Sequence, residues 1–135
     1  KGRIQVFKRA SETWEHTGTI RLPEAVRFRD YSGLDFHNGL LAVISQATSA
    51  LWIGRLDAQL AGTEDLLLED GWLYLFPRDD KGRILYCNPE GVAWLGNDQL
   101  AVVSDKWKND QPKRCARHDQ SIHLFRLPAA GLSTY

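Results

Sequence analysis

Apolar and polar residues alternate along much of this chain, and where they do not alternate the apolar ones run together in blocks of strand length. Ile4-Gln5-Val6-Phe7-Lys8, Leu51-Trp52-Ile53-Gly54-Arg55 and Ile122-His123-Leu124-Phe125-Arg126 share one alternating pattern, the period-2 signature of a strand with two different faces. Residues 40–45 and 100–104 are continuous apolar runs bounded by turn residues, which suits strands buried on both faces. Further strands are expected at residues 17–22, 66–68, 72–76 and 83–86, with Asp70-Gly71 and Asp79-Asp80-Lys81-Gly82 as turns. No stretch has good helical periodicity, and residues 56–67 form the one segment that would tolerate a short helix.

The pattern also repeats. Ser32-Gly33-Leu34-Asp35-Phe36 followed by Leu41-Ala42-Val43-Ile44-Ser45-Gln46 recurs as Glu90-Gly91-Val92-Ala93-Trp94 followed by Leu100-Ala101-Val102-Val103-Ser104-Asp105. Gly33 and Gly91 lie 58 positions apart and Leu41 and Leu100 lie 59 apart, so one residue has been inserted in the turn. His37-Asn38-Gly39 carries the Asn-Gly signal of a two-residue hairpin, and Leu95-Gly96-Asn97-Asp98-Gln99 does the same job with a longer turn. All-β units of roughly forty to sixty residues, each a buried hairpin followed by an outer strand, have the form of β-propeller blades. A β-sandwich with two similar hairpins is the competing architecture; the same order of three repeated strands favours the propeller.

The expected fold is therefore all-β, a β-propeller fragment of about two blades built from antiparallel four-stranded sheets. Residues 1–30 read as the end of one blade and its connection, 31–86 as a second blade region, 87–127 as a third and 128–135 as a tail. A propeller needs about four or more blades to close, so the remaining blades or other copies of the chain are needed to complete a ring. The chain opens at Lys1 within a strand pattern, contains no Met and carries no signal-like leader, which reads as a fragment and leaves its compartment unspecified.

Composition narrows the partners. The 135 residues are 43% hydrophobic and 25% charged, the make-up of an ordinary globular domain, and no apolar run approaches the roughly 18 residues of a membrane span. Seventeen basic and seventeen acidic side chains cancel, so neither nucleic acid nor an anionic membrane is the expected partner.

Four segments carry a resemblance: the Ser32-Gly33-Leu34-Asp35-Phe36 opening, the strand ends Ala42-Val43-Ile44-Ser45-Gln46 and Ala101-Val102-Val103-Ser104-Asp105, and Asn88-Pro89-Glu90-Gly91-Val92-Ala93. Over residues 31–56 and 88–127 the chain resembles the SdiA-regulated and esterase-like-phytase group of β-propellers and, more distantly, the gluconolactonase and strictosidine-synthase-like propellers. The resemblance implies an axial mouth lined by the starts of inner strands, where the Glu of a Glu-Gly motif binds a divalent cation, often calcium. That role falls on Glu90 alone, because the first repeat has Ser32 there.

Pairing across the second hairpin adds a partner for Glu90. If the hairpin turns around Asn97 and Asp98, Glu90 stands opposite Asp105 at the open end of the strand pair. Two adjacent carboxylates call for a cation, a proton or a basic side chain between them, and hard oxygen ligands suit calcium or magnesium. Asn88 is a further oxygen ligand for such a site. The alternative is structural, with Glu90 capping turn amides and Asp105 pairing with Lys106 or Arg114.

The second repeat also carries a loop about twelve residues longer than the first, a size that on a rigid scaffold is often functional. Lys106, Lys108, Lys113, Arg114 and Arg117 make it a basic patch, and Trp107 within it can stack on a ligand. Together they suit a small anionic ligand or a protein partner, with Lys106, Trp107, Lys108, Arg114 and Arg117 as the binding set; a solvated loop face is the plain alternative. Cys87 and Cys115 meet at this end, as a disulfide in an oxidising compartment or as free thiols in a reducing one. His16, His37 and His123 have no partner at a recognisable spacing. Phosphate-binding Gly-rich loops, Gly-x-Ser-x-Gly and His-Glu-x-x-His are absent. Two function classes remain: a binding scaffold, or a metal-dependent hydrolase of phosphate esters or lactones with Glu90 and Asp105 holding the cation.

Overall fold

A computed structural model of the chain describes residues 2–128. It is all-β, with ten strands and one 3₁₀ helix at Lys113–His118. The strands are β1 (Ile4–Ala10), β2 (Thr13–Arg21), β3 (Gly33–His37), β4 (Leu40–Ser45), β5 (Ala50–Arg55), β6 (Leu66–Leu67), β7 (Gly71–Leu75), β8 (Pro89–Trp94), β9 (Gln99–Ser104) and β10 (Ser121–Arg126). They form three sheets, ordered β1-β2-β6, β3-β4-β5-β7 and β10-β9-β8. Neighbours are antiparallel except for a two-residue parallel pairing of β6 with β2.

The turns follow from local chemistry. Asn38 and Gly39 take φ of 49° and 77°, the left-handed pair that a two-residue hairpin demands and that Asn and Gly adopt most cheaply. The β8–β9 turn is wider, closed by the Leu95 amide donating to the Gln99 carbonyl at 2.8 Å, with Gly96 at φ 127°. The two turn tips touch, Asn38 Nδ2 donating to Asn97 Oδ1 at 2.8 Å.

The second sheet lies between the other two. On one side Leu41, Val43, Trp52 and Leu56 pack with Ile20 and Leu22 and, in the first sheet, Ile4 and Val6. On the other, Ala42, Ile44, Leu51 and Ile53 pack with Trp94, Leu100, Val102 and Phe125 of the third. Every residue of β4 is buried, so its unbroken apolar run reflects two covered faces rather than a lost alternation. Gly54 and Gly71 bracket Trp52 closely enough that a β-carbon at either would strike the indole.

Several local expectations are corrected. The chain holds three antiparallel-rich sheets, and among the described residues only the second has the expected four strands. Residues 83–86 are not a strand; they contribute a single bridge from Ile84 to Arg78. The Asp79 carboxylate takes the backbone there for a turn instead, accepting from the amides of Lys81 and Arg83 at 3.0 and 2.8 Å. The short helix falls in the long loop and not at residues 56–67, which are turns and two short pairings. The expected tail falls at its residues 129–135 outside the described residues. No helix among the described residues is long and apolar enough to cross a membrane.

Candidate functional site

The ends of β3, β8 and β9 converge at one end of the stacked sheets. Gly33 lets the two inner strands approach: a β-carbon there would come within 3.3 Å of the Glu90 carbonyl oxygen and the Gly91 Cα. Ser32 Oγ donates to the Pro89 carbonyl at 2.8 Å, and lower down the Trp94 amide donates to Asp35 Oδ2 at 2.7 Å. Asp35 thus ties β3 to β8.

Glu90 and Asp105 are not opposite one another. Trp94 pairs with Leu100 and Gly91 with Val103, and then the register shifts so that Pro89 stands opposite Ser104. Glu90 is the extra residue of a β-bulge, released from the ladder. The neighbour of Asp105 is Asn88, whose carbonyl accepts the Asp105 amide at 2.9 Å. Both carboxylates nevertheless line one open groove of about 640 Å³, shared with Gly91, Val103, Ser104 and Ile122. Ser104 is 4% exposed and its hydroxyl has no hydrogen-bond partner.

Asn88 is corrected as a ligand. It is 3% exposed, and its Oδ1 already accepts from Gln111 Nε2 at 2.7 Å and Gln46 Nε2 at 3.0 Å. Its Nδ2 donates to Gln111 Oε1 at 2.8 Å and to the Lys106 carbonyl at 3.3 Å. The side chain is a buried four-way junction that fastens the long loop to β8 and to the preceding sheet. Among the described residues no group of three or more His, Cys, Asp and Glu is placed to hold a metal ion.

The loop's predicted binding set divides. Lys106 and Lys108 are exposed. Trp107 is held at its edge, its indole Nε1 donating to the Pro112 carbonyl at 3.1 Å and its amide to Asp119 Oδ2 at 2.8 Å. Arg114 turns inward, its Nε donating to the Ile84 carbonyl at 2.9 Å, while Arg117 stays exposed on the helix. Cys87 and Cys115 are joined in a disulfide with Cα atoms 5.7 Å apart, so the helix is bound covalently to the start of β8. A protein-family scan, a search of curated proteins and a search of solved structures each found no match.

One cluster escaped the sequence reading. Tyr86 Oη lies 3.2 Å from His123 Nδ1, and His123 Nε2 lies 2.6 Å from Ser121 Oγ, which donates to the His118 carbonyl at 3.0 Å. Read in one direction, Tyr86 donates to His123, His123 to Ser121 and Ser121 to the backbone, and every group is satisfied. In that arrangement the imidazole proton sits on Nε2. His118 and His123 are five positions apart and Tyr86 is remote in sequence, a spacing that matches no catalytic or metal motif.

His118 stacks on Tyr86 with centroids 4.5 Å apart. Burial holds its pKa below the ordinary value of 6.5, and the neighbouring His123 and Arg117 push the same way. The folded state therefore takes up this proton less readily than the unfolded chain. Its stability is complete above about pH 6.5 and falls as the pH drops from there through the lower folded pKa. Thermal unfolding followed by circular dichroism between pH 8 and 5 is expected to show that decline, and His118→Gln is expected to flatten it.

Proposed function

We propose that this chain is a β-propeller-type binding scaffold that meets its partner on the open side of the third sheet, with a calcium site at Glu90 and Asp105 on the rim of that surface. The resemblance of the Glu90-Gly91 segment to the SdiA-regulated group and the face-to-face stacking of successive antiparallel sheets support this reading. One observation carries it. Glu90, released by the bulge, and Asp105 line one open groove on the side of the third sheet where Val103 and Ile122 are exposed. The groups expected to act beside them, Asn88, Trp107 and Arg114, are committed to structural bonds.

Calcium takes about six to eight oxygen ligands, and Glu90 and Asp105 supply carboxylate oxygens of that type. The rest of the shell comes from water or from an anionic partner, toward which Lys106 and Lys108 add charge. Titration calorimetry tests the assignment. Calcium is expected to bind the chain, and Glu90→Gln, which keeps the shape and removes the charge, is expected to abolish the signal, as is Asp105→Asn. No binding by the unaltered chain, or binding that survives both substitutions, would overturn it. Cation-dependent hydrolysis of a phosphate ester or lactone by the unaltered chain would reassign the groove to catalysis.

A further inference from the structure

The second and third sheets are built from the same repeat, but only one has both faces covered. On the second, the side toward its successor consists of Ala42, Ile44, Leu51 and Ile53, all buried. Gly33 admits the next inner strand, and Gln46 reaches across to Asn88 at 3.0 Å. The register places Ala101, Val103, Ile122 and Leu124 at the matching positions of the third sheet: Ile122 pairs with Val103 as Leu51 pairs with Ile44, and Leu124 with Ala101 as Ile53 with Ala42. Gly91 matches Gly33 and Asp105 matches Gln46. Yet Val103, Ile122 and Leu124 are 45%, 67% and 60% exposed. A β-carbon on Gly91 would meet only Val103 of its own sheet, at 3.7 Å or more. The apolar positions and the glycine that receive a neighbouring sheet are repeated, and among the described residues no sheet covers them.

The chain has a second open apolar face. In the first sheet Ile4 and Val6 turn toward the second sheet. Alternation along β1 and β2 therefore sends Gln5, Phe7 and Arg9, with Trp14 and His16 opposite, to the far side; Phe7 and His16 are in ring contact there. Phe7, Trp14 and, on β6, Leu67 are exposed.

We infer that the open face of the third sheet is an interface and that its occupant is the far face of the first sheet of a second copy of this chain. The two faces lie at opposite ends of one stack, so joining them head to tail continues the stacking in the same sense. Arg9 on one face is opposite in sign to Glu90 and Asp105 on the other. Contacts of this unlike kind close when the rotation allows, and two copies with three sheets each make a ring of six, within the four to eight blades of propellers. The inference rests on the propeller reading proposed above.

Sedimentation velocity on the full chain over a range of concentrations tests it. The unaltered chain is expected to dimerise, and Ile122→Asp and Trp14→Asp are each expected to abolish the dimer. An equimolar mixture of the two variants is expected to restore a weaker dimer, because one intact interface remains between unlike variants. Near-ultraviolet circular dichroism and an intact disulfide check that each variant folds; Leu124→Asp replaces Ile122→Asp if that variant does not. A chain that is monomeric at all concentrations would overturn the inference and assign the face to further repeats of a longer polypeptide, while calcium binding at Glu90 would still stand. A dimer lost with Ile122→Asp and kept with Trp14→Asp would also overturn it, in favour of two third sheets meeting face to face.

Discussion

Trp52→Ala is expected to lower the stability of the fold by about 3–5 kcal/mol, the range for removing a large aromatic from a packed core. Trp52 is 1% exposed and sits in the cluster that joins the first and second sheets, against Leu41, Val43 and Ile20. Its strand is hydrogen-bonded on both edges, to β4 and to β7, so the backbone cannot close over the space that alanine leaves. Gly54 and Gly71 leave room for the indole by lacking side chains, and those positions cannot refill it. Since a domain of this size is held by only about 5–15 kcal/mol, the variant should unfold at a markedly lower urea concentration with an unchanged slope. Trp52→Phe should recover much of the loss. A cost below about 1 kcal/mol would mean that the first sheet does not pack on the second.

The second large effect is expected at the disulfide. Cys87 and Cys115 lie 28 residues apart, and closing a loop of that length restricts the unfolded chain by roughly 3–4 kcal/mol in the chain-entropy account. Cys115→Ser, or reduction of the unaltered protein, should therefore shift the urea midpoint by a comparable amount. The folded loop should keep its place, because the Asn88–Gln111 amide pair and the Arg114–Ile84 bond still hold it. Asn88→Ala alone should also be costly, since it strands the amides of Gln46 and Gln111 in a buried site. Combined with Cys115→Ser it should cost more than the sum of the two, because each restraint compensates for loss of the other. Simple additivity would show that they act on different segments.

Much of the architecture was legible because it is written in local signals. Asn38-Gly39 fixed the first hairpin, the unbroken run of β4 announced two covered faces, and the topology brought Cys87 near Cys115. The candidate site was harder to read. One extra residue in the Gly96-Asn97-Asp98 turn and a bulge at Glu90 moved Asp105 away from its expected place, and the bulge lies where Gly33 of another sheet crowds the Glu90 carbonyl. Asn88 looked like a ligand because its partners, Gln46 and Gln111, lie 42 and 23 residues away. The charges of the loop were readable from sequence, whereas the inward turn of Arg114 depends on a carbonyl at Ile84. Long-range contacts of this kind leave no periodicity to detect.

Equivalent residues of two repeats differ in cover: Leu51 and Ile53, with Ile44, lie between sheets, while Ile122 and Leu124, the equivalents of Leu51 and Ile53, lie on an open face. Methyl NMR with a soluble paramagnetic agent measures this directly. In dilute protein the Ile122 and Leu124 methyl signals should broaden strongly while those of Ile44 and Ile53 stay sharp. Equal broadening of all four would contradict the stacking of the sheets, and protection of all four in dilute monomer would contradict the open face.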